Sequence, residues 1–291
     1  MSLSITRYVG AKRWLVTGYP QYLPTPRRGG RAFDCFAGSC VVALYWLAQG
    51  HRVVIGDTNA RLIGCLRNLQ ERPEAVIGTL EAEANAYADA DDQRADFYMR
   101  RGHLNRIVPE SLESAALFLF VLRAGFNGLW RENAAGECNT TWGDVLTNGE
   151  RKTKNRRDLV CADELRSIAA LLKRADIRLG DFTQTTADAR RGDALFADAP
   201  YVVPGKFTAY SKGGFSLKDR QRLSAWLREM DRRGVRWTAT DADTDHVRAT
   251  YGLWTVDEVD VRRSCSAKAE GRGKVREMIV RNWYSKERKA A

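Results

Sequence analysis

The stretch Phe33-Asp-Cys-Phe-Ala-Gly-Ser-Cys40, with the VVALYWLAQG that follows it and Arg52-Val-Val-Ile-Gly-Asp57 beyond, decides the fold. Ala32 to Phe36 has the short apolar run of a buried strand. The small-residue turn Ala37-Gly38-Ser39 leads into a helix that Gly50 closes as a C-terminal cap. A second apolar strand then ends in a carboxylate. Strand, glycine turn, helix and strand with a terminal acid form the first half of a doubly wound sheet, so the fold class reads as α/β and Rossmann-like. In such a turn, small residues let a ligand approach backbone amides, and the acid accepts hydrogen bonds from ribose hydroxyls. Phe36, Ala37, Gly38 and Asp57 are therefore candidates for holding an adenosine-containing cofactor. The plain alternative is a structural turn, since one glycine followed by an acid occurs in many α/β proteins. Cys40 and Ala43 stand where a dinucleotide fingerprint has its later glycines, which disfavours NAD.

Between Thr58 and about Arg174 the pattern turns helical, acidic around EAEANAYADADDQRADF, then polar and glycine-rich from Gly125 to Gly149. This segment reads as inserted, which divides the chain into a catalytic domain over 1–58 and 175–291 and a helical module over 59–174. The α/β pattern resumes at Ile177-Arg-Leu-Gly-Asp181 and continues through ALFADAPY, the amphipathic RLSAWLREMDRRG and the strand VRWTATD. The end, VDEVDVRRSCSAKAEGRGKVREMIVRNWY, alternates around a basic tip as a long antiparallel hairpin would.

The 47 Lys and Arg against 36 Asp and Glu leave a formal charge of +11, a surplus that attracts a polyanion, nucleic acid first. The bland alternative is a solubilising surface. Six cysteines without a C-x-x-C pair and three scattered histidines, His51, His103 and His246, indicate neither a disulfide framework nor a metal cluster. Unpaired thiols suit a reducing compartment, and the cytoplasm is expected. The longest apolar runs, Val41 to Ala48 and Ala115 to Leu122, fall short of the roughly 18 residues of a membrane span, so no membrane partner is expected.

Two further stretches carry chemistry. Asp198-Ala199-Pro200-Tyr201 follows an apolar strand at the sheet edge where ligands of open α/β sheets bind. A carboxylate and the next carbonyl can accept hydrogen bonds from an aromatic amine, and Tyr201 can stack on the ring. A base inside a duplex must be flipped out to reach such a pocket. Four residues of this kind also fit a plain turn. The second stretch runs from Arg123 to Gly143 and is dense in Arg, Asn and Trp. Arg123, Asn127, Arg131 and Asn139 have the fork geometry to read base edges, and Leu129 can wedge a base stack. The alternative is a polar loop that caps the helical segment.

Together these stretches resemble the Dam-like, D12 class of DNA adenine-N6 methyltransferases over essentially the whole chain. The resemblance runs in order through RYVGAKRWL, FDCFAGSC, IGDTNARLIGCL, FNGLWRENAAGECNTTWG, LGDF, ADAPY, FTAY and VRRSCSAKAEGRGKVREMIV. It implies a Rossmann-like sheet that uses S-adenosylmethionine, an inserted helical DNA-recognition module, and methyl transfer to N6 of a flipped-out adenine in double-stranded DNA, with S-adenosylhomocysteine as product. Tyr8, Gly10 and Lys12 would lie near the cofactor, and Asp181 and Phe182 around its adenine. Asp198, Ala199, Pro200 and Tyr201 would form the catalytic motif. Arg7, Leu129 and Arg131 would touch DNA, and the basic tip with Lys268, Arg272 and Lys274 would approach phosphates. Action as a monomer without a metal is expected. Three residues depart from the family pattern: Ala199 for a proline, Cys40 for a glycine of the cofactor loop, and Thr141 for a proline of the recognition loop. Thr141 leaves the target sequence open. Ala199 and Cys40 motivate two alternatives, an idle DNA-binding relative and an enzyme that transfers a larger group from a modified sulfonium cofactor. A cytosine-C5 enzyme is excluded because none of the seven prolines precedes a cysteine. A zinc base deaminase is excluded because His-x-Glu and Pro-Cys-x-x-Cys are absent.

Overall fold

The computed structural model describes residues 5, 11–133, 135–143, 145–147, 150–152, 156–201, 215–262 and 274–283. In chain order the elements begin with α1 (Arg13–Gly18), β1 (Arg31–Asp34), α2 (Val41–Ala48), β2 (Arg52–Asp57) and α3 (Ala60–Glu71). The helical segment adds α4 (Pro73–Ala88), α5 (Gln93–Arg106) and α6 (Leu112–Ala124), the hairpin β3 (Val145–Thr147) and β4 (Glu150–Lys152), then α7 (Arg156–Val160) and α8 (Ala162–Leu172). The remainder is β5 (Ala175–Leu179), α9 (Phe182–Thr185), β6 (Ala194–Ala197), α10 (Leu217–Arg232), β7 (Arg236–Ala242), α11 (Asp245–Tyr251), β8 (Thr255–Arg262) and β9 (Lys274–Arg281).

Seven strands form one sheet in the order β5-β2-β1-β6-β7-β9-β8. The first five run parallel, and β9 lies antiparallel between β7 and β8. The expected α/β sheet and terminal hairpin are both present. Alternation along the strands explains the layers. Ala32, Val53, Ile55 and Phe196 join a core with α2, α3, α6 and α8, whereas Phe33, Val54, Leu195 and Trp237 face a second core with α10 and α11. Helix α2 buries Val41, Val42, Ala43, Leu44, Trp46 and Leu47, so nearly its whole circumference is apolar, as a helix sandwiched between sheet and outer helices requires. Gly50, at φ 88°, closes it as expected.

The segment 59–174 does not build a core of its own. Helices α3 and α8 lie against the sheet as crossover elements: Arg67 donates to the Ile177 carbonyl at 2.9 Å, and Gln70 donates to those of Leu172 and Ala175 at 2.6 and 2.8 Å. Helix α6, buried from Ser114 to Leu122, joins α3 to the outer helices α4 and α5 within the same cluster. The hairpin of β3 and β4 within the polar stretch was not expected from sequence. Among the described residues no helix is long and apolar enough to cross a membrane.

Candidate active site

Adjacent strands β1 and β6 send their chain continuations to opposite sides of the sheet, β1 toward β2 and β6 toward β7. Their C-terminal ends therefore flank the topological switch point, where open α/β sheets leave a crevice. Most of the residues singled out from the sequence on the sheet gather there.

On one side lies the turn after β1. Gly38, at φ 45°, donates its N–H to Asp57 Oδ2 at 3.0 Å, and Asn59 donates to Asp57 Oδ1 at 2.9 Å. Asp57 thus holds the glycine turn against the end of β2, and burial raises its pKa above the usual carboxylate range. Cys40 adopts the left-handed conformation, φ 58°, that favours glycine, the residue that the resemblance implies at this position. Its side chain is fully buried in the core, with the thiol 3.8 Å from the Gly38 carbonyl. On the same side, after β5, Asp181 caps α9 by accepting the Thr183 N–H at 3.1 Å and is held by Arg222 at 2.9 Å. The Phe182 ring lies 5.5 Å from that of Phe36, and Phe215 meets Phe36 edge-on at 6.0 Å.

On the other side lies the motif after β6. Lys12 Nζ lies 2.9 Å from Asp198 Oδ1, and the Thr240 hydroxyl donates to the same oxygen at 2.7 Å. The Lys12 ammonium also stands 5.0 Å from the centre of the Tyr201 ring and 3.9 Å from Glu277 Oε2. The Tyr201 hydroxyl donates to Glu277 Oε2 at 2.8 Å, and burial together with the neighbouring carboxylates pushes that phenol well above its ordinary pKa. The antiparallel register sets Glu277 opposite Ala242, which carries a residue from the start of β9 to the active end of β7. Asp241 is buried against Arg220 at 2.9 Å, with burial raising its carboxyl to about 6. Ala199 is buried in the second core and Pro200 half-buried beside it.

Sequence reasoning missed Thr240, Asp241, Glu277 and Asp34. Asp34 closes β1, lies inside the quoted motif, and is 2% exposed. Its Oδ2 accepts the Ala43 N–H at 3.1 Å, while Oδ1 is buried without a hydrogen-bond partner. Burial, reinforced by Asp198 and Asp57, pushes this carboxyl up to about 7.

The expected recognition stretch is a backbone-braced loop. Gly125 bridges Trp142, Glu132 bridges Cys138, and the Asn139 N–H donates to the Arg131 carbonyl at 2.9 Å. Asn105 of α5 pairs with both backbone groups of Cys138, at 3.0 and 2.8 Å, and Arg101 donates to the Thr140 carbonyl at 2.8 Å. Asn127, at φ 54°, Arg131 and Thr141 are exposed, and Leu129 and Asn139 are half-buried. Arg123 does not share the outward placement expected of a DNA contact. Its guanidinium donates to the carbonyls of Leu159 and Val160, so the side chain is spent on tying α6 to the end of α7. Arg7, Tyr8, Gly10, Lys268 and Arg272 lie outside the described residues, and Lys274 is described only as the first residue of β9.

A family model for D12 class N6 adenine-specific DNA methyltransferases matches residues 8–264. The chain is 29% identical to the Type II methyltransferase M1.LlaDCHI of Lactococcus lactis subsp. cremoris, across 96% of this chain and 94% of that one. It is 27% identical to a DNA adenine methylase of Vibrio cholerae, across 94% of each. It is also 29% identical to the DNA N-6-adenine-methyltransferase of Escherichia phage P1, across 95% of this chain and 35% of the phage protein. With a match that takes in the turn after β1, the Asp198 motif and the recognition loop together, the chain belongs to the D12 class of N6 adenine-specific DNA methyltransferases.

Proposed function

We propose that the chain methylates adenine N6 in duplex DNA with S-adenosylmethionine as donor, through the Asp198 motif. The arrangement that carries this reading is the convergence of Lys12 and Thr240 on Asp198 Oδ1, beside a tyrosine fixed by its own hydroxyl. Two partners on one oxygen fix the carboxylate plane and present Oδ2 to an incoming amino group. The Ala199 carbonyl is the second acceptor, a role that needs backbone alone and survives the replacement of proline. Tyr201, tied to Glu277, offers a ring that cannot swing, against which a flipped base stacks.

The residues at the turn fit the cofactor. Asp57 stands at the ribose position of such sites, Phe36 and Phe182 form an aromatic wall for its adenine, and the buried Asp34 Oδ1 is left without a hydrogen-bond partner. Bound there, S-adenosylmethionine supplies an already activated methyl group, so the protein needs no covalent nucleophile. What the chain contributes is position: Asp198 and the Ala199 carbonyl accept the two amino hydrogens and turn the nitrogen lone pair toward the donor side of the crevice. The exposed Asn127, Arg131 and Thr141, with Leu129 and Asn139, read the site from the braced loop, and the β8–β9 hairpin approaches phosphates. The enzyme works as a cytoplasmic monomer.

Asp198→Ala should abolish turnover while leaving duplex affinity within a few-fold, measured by methyl incorporation and by fluorescence anisotropy. Near-normal turnover in that variant would sink the assignment.

A further inference from the structure

The N-terminal edge of the sheet, opposite the catalytic edge, carries a cluster that methyl transfer does not use. Strands β1, β6 and β7 start in register there, with Ala32 beside Ala194 and Ala194 beside Arg236. Their preceding turns carry Arg27 and Arg28, Arg190 and Arg191, and Arg236, all exposed. The turns touch. Arg27 donates its N–H to the Gly192 carbonyl at 2.8 Å, and Arg236 donates to that of Asp193 at 3.2 Å. A side chain at Gly234 would meet the Arg191 guanidine nitrogen at 3.3 Å. A cleft of about 780 Å³ opens beside Arg27 and Arg236, lined also by Asp231, Trp254, Arg281 and Trp283.

The acids nearby are already committed. Asp188 is shared by Arg31 and Arg178, and Asp193 accepts the backbone N–H groups of Arg31 and Arg190. Glu229 pairs with Arg232 and Arg233, and Asp231 accepts from Trp237, Trp254 and Asn282. Among the described residues no carboxylate pairs with Arg27, Arg28, Arg190, Arg191 or Arg236. Like charges gathered this closely repel one another unless an anion joins them. Every one is an arginine, whose planar fork suits phosphate oxygens.

We propose that this edge binds the backbone of a second duplex DNA segment, so that the enzyme bridges two segments. The substrate itself supplies the complementary charge. Arg191 in the preceding turn and Asp198 in the following loop lie at opposite ends of β6, whose four residues span roughly 13 Å. A duplex lying over the catalytic edge would have to bend sharply around the sheet to reach the arginines, at a deformation cost. A separate segment reaches them without bending. Bridging would hold the enzyme near DNA while it transfers between segments.

The inference rests on DNA as the substrate, and its test separates the two. A short duplex with one target site is immobilised, enzyme is added, and capture of a second, fluorescent duplex is measured. The wild-type protein should capture it in a salt-sensitive manner. The triple variant Arg27→Ala, Arg191→Ala, Arg236→Ala should capture about tenfold less, and the corresponding lysine variant should recover most of the loss. Methylation of the short duplex should stay within about twofold in all three, since phosphate contacts are lost only at the far edge. No capture by the wild-type protein, or equal capture by the alanine variant, would overturn the proposal. So would a parallel fall in short-duplex methylation, because the arginines would then belong to the primary DNA surface. Absent methylation by a wild-type protein that still bridges would count against the assigned chemistry alone.

Discussion

The catalytic edge and the recognition loop are built on opposite plans. At the sheet edge, side chains hold side chains: Lys12 and Thr240 fix Asp198, Glu277 fixes Tyr201, and Arg220 fixes Asp241. In the loop, side chains hold backbone: Asn105 grips Cys138, Arg101 grips Thr140, and the Thr140 hydroxyl donates to the Leu129 carbonyl at 2.7 Å. The two plans tolerate change at different places. The chemistry depends on which groups are present, so substitution there removes an interaction outright. The proposed recognition surface depends on loop shape, so its outward residues can vary while Asn105 and Arg101 keep the frame.

The largest break in this contrast is Lys12→Ala. It leaves Asp198 without its ammonium and Glu277 with one fewer cation, both at low exposure. Removing one partner of a buried pair costs about 3–5 kcal/mol; partial exposure of Asp198 places the expected loss near ~3 kcal/mol, read from urea unfolding, with turnover falling alongside. A stable variant with full turnover would show that the ion pair does not organise the edge.

The acid side has a pH signature. The folded pKa of Asp34, about 7, lies above its ordinary 3.8. Between those values the native state keeps a proton that the unfolded chain has lost, so this group's contribution falls as pH rises through the window and levels off above about 7. The slope approaches about 1.4 kcal/mol per pH unit. Asp34→Asn should remove it, and comparison of urea midpoints for both proteins at about pH 5 and about pH 7 checks this. Equal pH dependence would contradict the burial of a protonated Asp34.

On the recognition side, Asn105→Ala should loosen the loop without touching the crevice. Losing two half-buried hydrogen bonds costs about 1–3 kcal/mol. That should appear as roughly tenfold poorer discrimination between cognate and single-mismatch sites in kcat/KM, with cofactor affinity unchanged. Discrimination that stays intact would mean that the loop holds its shape unaided. The smallest effect is expected for Cys40→Gly. Relief of the left-handed conformation, about 1–2 kcal/mol, opposes lost packing of the thiol. Stability should move by about 1 kcal/mol or less, and cofactor affinity should stay the same in calorimetric titration. A several-fold gain in affinity would place the thiol in the cofactor space after all.

Local pattern made the fold legible. Alternation and the glycine turn announced β1, α2 and β2, and the two-sided burial of the sheet follows from the same alternation. The placement of the candidate site's contiguous motifs, Phe36 to Gly38, Asp57 and Asp198 to Tyr201, was equally legible because each sits where a strand ends. The supporting residues were not. Glu277 reaches Tyr201 across 76 positions of sequence and Thr240 reaches Asp198 across 42; the first contact exists because β9 inserts between β7 and β8, the second because β7 pairs directly with β6. Asp34 carried a signal that could have been used, a carboxylate closing an otherwise apolar strand. Arg123 looked like a reader of bases from its neighbours in sequence, but the carbonyls that end α7 claim it once α6 and α7 pack. Within the segment expected as an insert, 59–174, α3 and α8 bury their apolar faces on the sheet side, a packing that sequence pattern alone does not announce.

The central claim is methyl transfer to adenine N6, and product mass tests it most directly. The purified protein is incubated with S-adenosylmethionine and adenine-rich, mixed-sequence unmethylated DNA, the DNA is digested to nucleosides, and the adenine products are weighed by mass spectrometry. The expected result is a single methyl gain on deoxyadenosine, carried on N6 and missing with Asp198→Ala. An unmodified adenine pool, with cofactor and DNA binding each verified in the same preparation, would contradict it.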